Sequence, residues 1–341
     1  IAERDGPVAS DVIEWHRLRA GRGTFDEVGE FLLRRPNWPG EAYLRRKSEQ
    51  AVIQEDDVAI LAFFTELPAQ TSAGALAQAG ALIRADRVDE ANALLVEAWR
   101  TMTMSASNQE DFLVRHADLL KPHHASRLDQ MLWRGAFDNA QRMLPLVSEG
   151  DAAVAKARMA LQKREKGVDT LISAIPESHA AAPGLQYDRF VWRLNKGRWD
   201  DAKALLLAQS KSAETLGQPE EWANRRRSMA RDEMRDGDAQ RAYALASRHF
   251  LTDGPSYADL EWLSGFLALR FLNDPATALK HFEKFDAAIA SPISKGRAGY
   301  WIGRAHEALG DEAAAKAAYT MGAGYQTSFY GLLAAERAGL P

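Results

Sequence analysis

Seven times along this chain a Gly, or an Asp or Asn in its place, is followed five residues later by Ala or Val at the start of an apolar helical pattern. The copies are Gly23/Val28, Asp86/Ala91, Gly135/Ala140, Gly197/Ala202, Gly237/Ala242, Asn273/Ala278 and Gly310/Ala315. The segment Asn195 to Leu206 carries the logic. A helix closes at Gly197, because a residue that tolerates positive φ ends a helix cheaply. Asp200 and Asp201 then fall near the positive end of the next helix, where carboxylates are favoured. Ala202 is small enough to admit a neighbouring helix, and Leu205 and Leu206 fill the interface. One such hairpin cannot bury its own apolar face, so stacked neighbours must supply the core. The pattern predicts an all-α fold, a right-handed superhelical solenoid of tetratricopeptide-like hairpins with about twenty helices.

The joints at 197, 237, 273 and 310 are 40, 36 and 37 residues apart. That is close to the roughly 34 of a tetratricopeptide unit. Earlier gaps are wider and leave room for an unmarked hairpin, such as Asp151 to Ile175. At 341 residues the chain exceeds the usual limit of a single core. A solenoid escapes that limit by adding local cores in series. Two weak boundaries stand out, Ile175 to Gly184 and Ser291-Pro292.

Composition excludes several functions. A net charge of −4 argues against a nucleic-acid or anionic-membrane binder. The absence of cysteine removes disulfides and thiolate metal sites, and fits an oxidising compartment. No apolar run is long enough for a transmembrane segment. The chain begins at Ile1 instead of Met, which suggests a trimmed or mature product.

The search for catalytic chemistry assigns no catalytic residue, no cofactor and no metal ligand. His116, His123 and His124 lack the i, i+4 spacing and the acid of a helical zinc site, and His306-Glu307 has Gly310 where a second His would stand. Gly21-Arg22-Gly23 and Gly322-Ala323-Gly324 lack the third glycine and the strand of a phosphate loop. The basic runs Arg45-Arg46-Lys47 and Arg225-Arg226-Arg227 read as solvated helix faces. Trp15, Trp99, Trp133, Trp192, Trp262 and Trp301 read as packing residues. Trp38 and Trp199, flanked by polar or turn residues, are the candidates for stacking on a sugar ring.

The last fifty residues carry a more specific signal. Trp301, Gly303, Arg304 and Ala305 lead through Gly310-Asp311 to Tyr325, Thr327, Phe329, Tyr330, Gly331, Leu333 and Ala334. This pattern resembles the end of the helical region of soluble lytic transglycosylases. Asn37-Trp38-Pro39-Gly40, the Arg115 to Trp133 stretch, Pro183 to Asp188 and Glu261 to Gly265 resemble the superhelical domain of the same family. The family cleaves the MurNAc-GlcNAc bond of peptidoglycan to a 1,6-anhydro product. A single Glu in a lysozyme-like domain serves as acid and then base.

The resemblance implies a superhelical domain over residues 1–290 and linker helices over 291–341, leading to a catalytic domain that this chain lacks. It also implies a periplasmic location, and as partners peptidoglycan glycan strands and the chain's own catalytic domain. Tyr325, Thr327, Phe329, Tyr330 and Arg337 become the expected docking residues for that domain, and Trp38 and Trp199 the expected glycan contacts. The family's catalytic Glu-Ser has one superficial match, Glu177-Ser178, but no Gly-Leu-Met-Gln or Ala-Tyr-Asn-x-Gly follows it. The chain alone is therefore expected to be inactive. The alternative is a free-standing tetratricopeptide-like scaffold that recruits protein partners.

Overall fold

The computed structural model describes residues 6–65 and 67–341. Among the described residues there are twenty-one α-helices and no strands. In chain order they begin with α1 (Pro7–Arg19), α2 (Phe25–Arg34), α3 (Glu41–Val52), α4 (Asp57–Phe63) and α5 (Ser72–Arg84). Then come α6 (Val88–Thr101), α7 (Ala106–Leu120), α8 (His124–Trp133), α9 (Phe137–Met143) and α10 (Glu149–Gln162). The middle run is α11 (Val168–Ser173), α12 (Pro183–Asn195), α13 (Trp199–Gln209), α14 (Ala213–Leu216) and α15 (Pro219–Asp236). The last six are α16 (Ala239–Ser247), α17 (Gly254–Arg270), α18 (Pro275–Ala287), α19 (Pro292–Leu309), α20 (Glu312–Ala323) and α21 (Phe329–Ala338).

The joint pattern explains the helix boundaries. Asp86, Gly135, Gly197, Gly237, Asn273 and Gly310 all adopt left-handed φ, between 53° and 92°. The residue five places on is buried in all seven copies, at most 3% exposed. In the last three copies the residue after the joint is Asp238, Asp274 or Asp311, whose side chain caps the next helix. The first copy departs from expectation. Its left-handed residue is Gly21 (φ 72°), and Gly23 instead lies close against a core side chain. A Cβ at Gly23 would lie 2.3 Å from Leu18 Cδ2. The unmarked hairpin after Asp151 is present as α10 and α11, and its turn holds two left-handed residues, Arg164 at φ 58° and Gly167 at φ 78°.

The chain forms two compact units, residues 1–159 and 160–341. In the first unit α4 packs on α5, α5 on α6, α6 on α8 and α8 on α9. Their core centres on Leu95, Trp99, Phe112, Met131 and Met143. A separate cluster of Leu18, Val28, Phe31 and Leu44 joins α1, α2 and α3. The second unit has a larger continuous core, running from Phe190 through Trp222, Leu263, Phe282 and Trp301 to Ala338. Residues 291–341 belong to that core: α19 packs on α18, α20 and α21.

Arg46, Lys47 and Arg225 keep the solvated positions that the charge of the basic runs suggested, but one arginine of each run is buried. Arg226 is fully buried and donates to Leu245 O (2.8 Å) and Ser210 Oγ (2.6 Å). Arg45 is buried too, paired with Glu41 at 2.9 Å and lying over the Phe63 ring. A charge among apolar neighbours survives burial only when hydrogen-bonded or paired, and these two meet that condition.

Candidate functional site

The C-terminal helices are held at close range by glycine. A Cβ at Gly299 would lie 2.5 Å from the backbone of Gly322, and one at Gly303 would lie 2.4 Å from the Tyr319 ring. At Gly331 it would meet the Tyr325 carbonyl oxygen at 2.0 Å. Ser328 caps α21 by accepting from Gly331 N (3.1 Å) and donates its hydroxyl to Tyr325 O (2.9 Å). The motif glycines Gly303 and Gly331 therefore have packing roles.

The five expected docking residues divide into two groups. Tyr330 is half-buried, with ring contacts to Tyr300 (5.5 Å) and Trp301 (6.2 Å) and the Arg297 guanidinium over its face. Tyr325 is half-buried as well, and its carbonyl anchors the α21 cap. Arg337 is exposed and pairs with Glu307 at 3.1 Å. Thr327 is exposed, and Phe329 is 70% exposed with Leu332 beside it on α21 at 55%. Phe329 and Leu332 are thus the part of this segment that faces outward as apolar surface.

Of the two expected sugar-stacking residues, Trp199 is the more open. It opens α13, two residues after the left-handed joint at Gly197, and half of it is exposed. Trp38 is half-buried, edge-on to Phe31 at 5.6 Å. They lie in different compact units, Trp38 in the first and Trp199 in the second.

A polar cluster that the sequence reading did not find occupies the junction of α16, α17 and α18. Glu261 of α17 is buried and receives His281 Nδ1 at 2.5 Å on Oε2. His249 Nε2 lies 3.3 Å from Oε1, and Lys284 Nζ 3.5 Å from the same atom. His249 Nδ1 accepts from Leu251 N–H, so the hydrogen-bond network assigns its proton to Nε2. The Tyr243 hydroxyl completes the chain on His281 Nε2 at 2.9 Å. Burial pushes the Glu261 pKa up, but the bonds from His249 and His281, with the charges of His281 and Lys284, outweigh it and hold it at about 2.

The order Tyr, His, Glu has the connectivity of a nucleophilic triad, but the chemistry does not follow. Burial pushes the Tyr243 pKa up, so the phenol keeps its proton at neutral pH. Glu261 stays ionised and ties three helices together. The signal for it was the carboxylate inside the apolar run Leu260 to Leu263, which demands a buried partner. Its partners lie twelve residues before it and twenty after, beyond any local motif.

The other candidates have ordinary places. His124 is buried against the Trp99 ring at 5.4 Å, and burial lowers its pKa. His116 sits at a kink in α7. Glu177 is exposed on a single 3₁₀ turn. No cluster of three metal-ligating side chains exists among the described residues. No helix among them is long and apolar enough to cross a membrane. Comparison of the chain with protein-family models, with curated proteins and with solved structures gave no match in any of the three.

Proposed function

We propose that this chain is the non-catalytic helical region of a periplasmic soluble lytic transglycosylase. In this reading it holds peptidoglycan glycan strands and docks the domain that cleaves the MurNAc-GlcNAc bond to a 1,6-anhydro product. No residue of the chain itself breaks the bond. The observation that carries the reading is the C-terminal segment. The residues that make the resemblance form a tightly packed three-helix group, and its last helix leaves Phe329 and Leu332 exposed. Two apolar side chains exposed one turn apart on the same helix favour a contact surface there. Trp199, half-exposed at a helix start, supports a sugar contact in the same unit.

Co-sedimentation with purified peptidoglycan sacculi tests the glycan half of this reading. Retention that falls with Trp199→Ala supports it. A chain that stays in the supernatant at low salt, yet captures peptides or proteins, overturns it in favour of a protein scaffold. The docking half is tested by adding a family catalytic domain in trans. Binding that is lost in a folded Phe329→Ser variant supports it, and binding that survives the change overturns it.

A further inference from the structure

In the second unit a pocket of about 160 Å³ opens between α11, α12 and the turn into α13. Arg189, Trp192 and Arg193 line it from one face of α12, at i, i+3 and i+4. Arg198 closes it from the turn, and α11 contributes Asp169 and Ser173. Three guanidiniums thus meet one carboxylate at the lining.

The local hydrogen bonds leave two of the three guanidiniums, Arg189 and Arg193, on neutral acceptors. Arg198 is paired with Asp201, Nε to Oδ2 at 2.7 Å. Arg193 donates to the same residue, but to its neutral backbone oxygen at 2.9 Å. Arg189 is held by the neutral amide oxygen of Gln186 at 3.3 Å. Asp169 stands in the first turn of α11, where the peptide dipoles already favour a carboxylate. Burial pushes the Arg193 pKa down, and the like charges of Arg189 and Arg198 push it further against the pull of Asp201. Cations gathered in a partly desolvated pocket repel one another, and an entering anion relieves them.

The character of the anion follows from the donors. Every cationic donor is a planar side-chain fork, which matches a carboxylate in two-point contact. The same forks can engage phosphate, so the choice of a monoanion is set by Asp169 at the lining, whose charge opposes a dianion. Trp192 offers an apolar wall, while Asp169 and Ser173 can accept hydrogen bonds from a ligand's own O–H or N–H groups. The volume is below the roughly 300–1,000 Å³ of sites that enclose drug-sized ligands. We propose that this pocket binds a monoanionic carboxylate carried on a small body with O–H or N–H donors, as in an acidic amino sugar or an acylated amino acid. The proposal stands on the pocket's own charges and does not rest on the glycan reading.

The test is a titration of the full chain with four probes, followed by calorimetry and by the Trp192 indole resonance. N-acetylmuramic acid and N-acetylglucosamine differ by a carboxylate-bearing ether, N-acetyl-L-alanine carries the carboxylate on a peptide unit, and inorganic phosphate is the competing anion. The expected result is that both carboxylates bind and shift the indole signal, with N-acetylglucosamine about tenfold weaker or worse. The tighter of the two carboxylates identifies the sugar or the peptide source. Arg189→Gln should weaken both about tenfold with unchanged circular dichroism. Asp169→Asn, a surface change that leaves the arginines in place, should strengthen phosphate binding several-fold. Equal binding of the two sugars, phosphate preferred by the unmodified chain, or carboxylate binding indifferent to Arg189→Gln would each overturn the proposal. Sacculus sedimentation unaffected by Arg189→Gln would leave the glycan reading standing, because that reading rests on Trp199.

Discussion

In the first unit Arg127 reaches from α8 to the last carbonyls of α6, Trp99 O and Met102 O, the second at 2.9 Å. In the second unit Arg226 reaches from α15 to Leu245 O, in the last turn of α16. Both side chains are fully buried, and burial lowers the Arg127 pKa to about 10 and the Arg226 pKa to about 9. Each remains a cation at neutral pH, satisfying carbonyls that a helix end leaves without an intrahelical partner. What surrounds them differs. Arg127 lies 4.5 Å over the Trp99 ring, so the first unit fills the space between α6 and α8 with long side chains. At its C-terminal end the second unit brings α19, α20 and α21 together through Gly299, Gly303, Gly322 and Gly331. Small residues at a repeat spacing can be seen in a sequence; an arginine that bridges two helices cannot.

The largest effect should come from breaking the glycine contacts. Gly299→Val would set side-chain atoms against the backbone of Gly322 and Ala318, neither of which can yield by a rotamer change. Loss of about 4 kcal/mol or more is expected, from overpacking against main chain. Denaturant unfolding followed by circular dichroism measures it, and a loss below about 1 kcal/mol would show that the helices can separate freely. Arg226→Met and Arg127→Met come next. Each leaves a buried carbonyl without its donor, at about 3 kcal/mol. If Arg127→Met costs far less than Arg226→Met, the Trp99 stack and not the carbonyl bond is what the first unit needs.

Acid separates the units by sign. Glu261 is held at about 2, below its ordinary 4.5. Its contribution to stability is therefore complete above pH 4.5 and is lost as pH falls towards 2. Glu49 in the first unit behaves oppositely. Burial raises its pKa above the ordinary value, against hydrogen bonds from Thr71 and Gln70. Its ionisation costs stability as pH rises through the raised value, and acid relieves that cost. Glu261→Gln should lose about 2 kcal/mol at pH 7 and flatten the acid limb of the stability profile between pH 4.5 and 2. An unchanged acid limb in that variant would mean that other carboxylates govern acid unfolding.

How much of this was legible follows the same division. The seven joints predicted helix ends and buried small residues because each rests on a local rule, positive φ followed by close approach. Even the failure at Gly23 is local: the turn closes two residues earlier, at Gly21. Long-range polar pairing has no such rule. Arg226 looked like one of three surface cations, and nothing near it in sequence announced Leu245 or Ser210. The arginine pocket was hidden for the same reason, since Arg189 and Arg193 share a helix face but Asp169 and Arg198 come from other segments. Trp199 is an intermediate case. Its polar and turn neighbours made it a candidate for exposure together with Trp38, and the structure leaves half of Trp199 open while Trp38 is half-buried against Phe31.

The smallest expected change in stability compares two exposed apolar residues, one from each unit. Leu33 of α2 is 86% exposed and Phe329 of α21 is 70% exposed. Neither contributes to the core, so Leu33→Ser and Phe329→Ser should each alter stability by less than about 0.5 kcal/mol. Their effects on association should differ. Phe329 stands beside Leu332 on a helix whose other face carries Tyr330 and Ala334 into the core, so an apolar strip is held rigidly outward. Leu33 follows Leu32, the last buried residue of α2, and is flanked by Arg34 and Arg35, which are engaged with Asp11. Charge and apolar surface alternate there, a poor platform for a partner. Binding of a catalytic domain in trans should therefore fall in Phe329→Ser and stay constant in Leu33→Ser. Equal loss in both would reduce the C-terminal face to general stickiness, and loss only in Leu33→Ser would move the docking surface to the first unit.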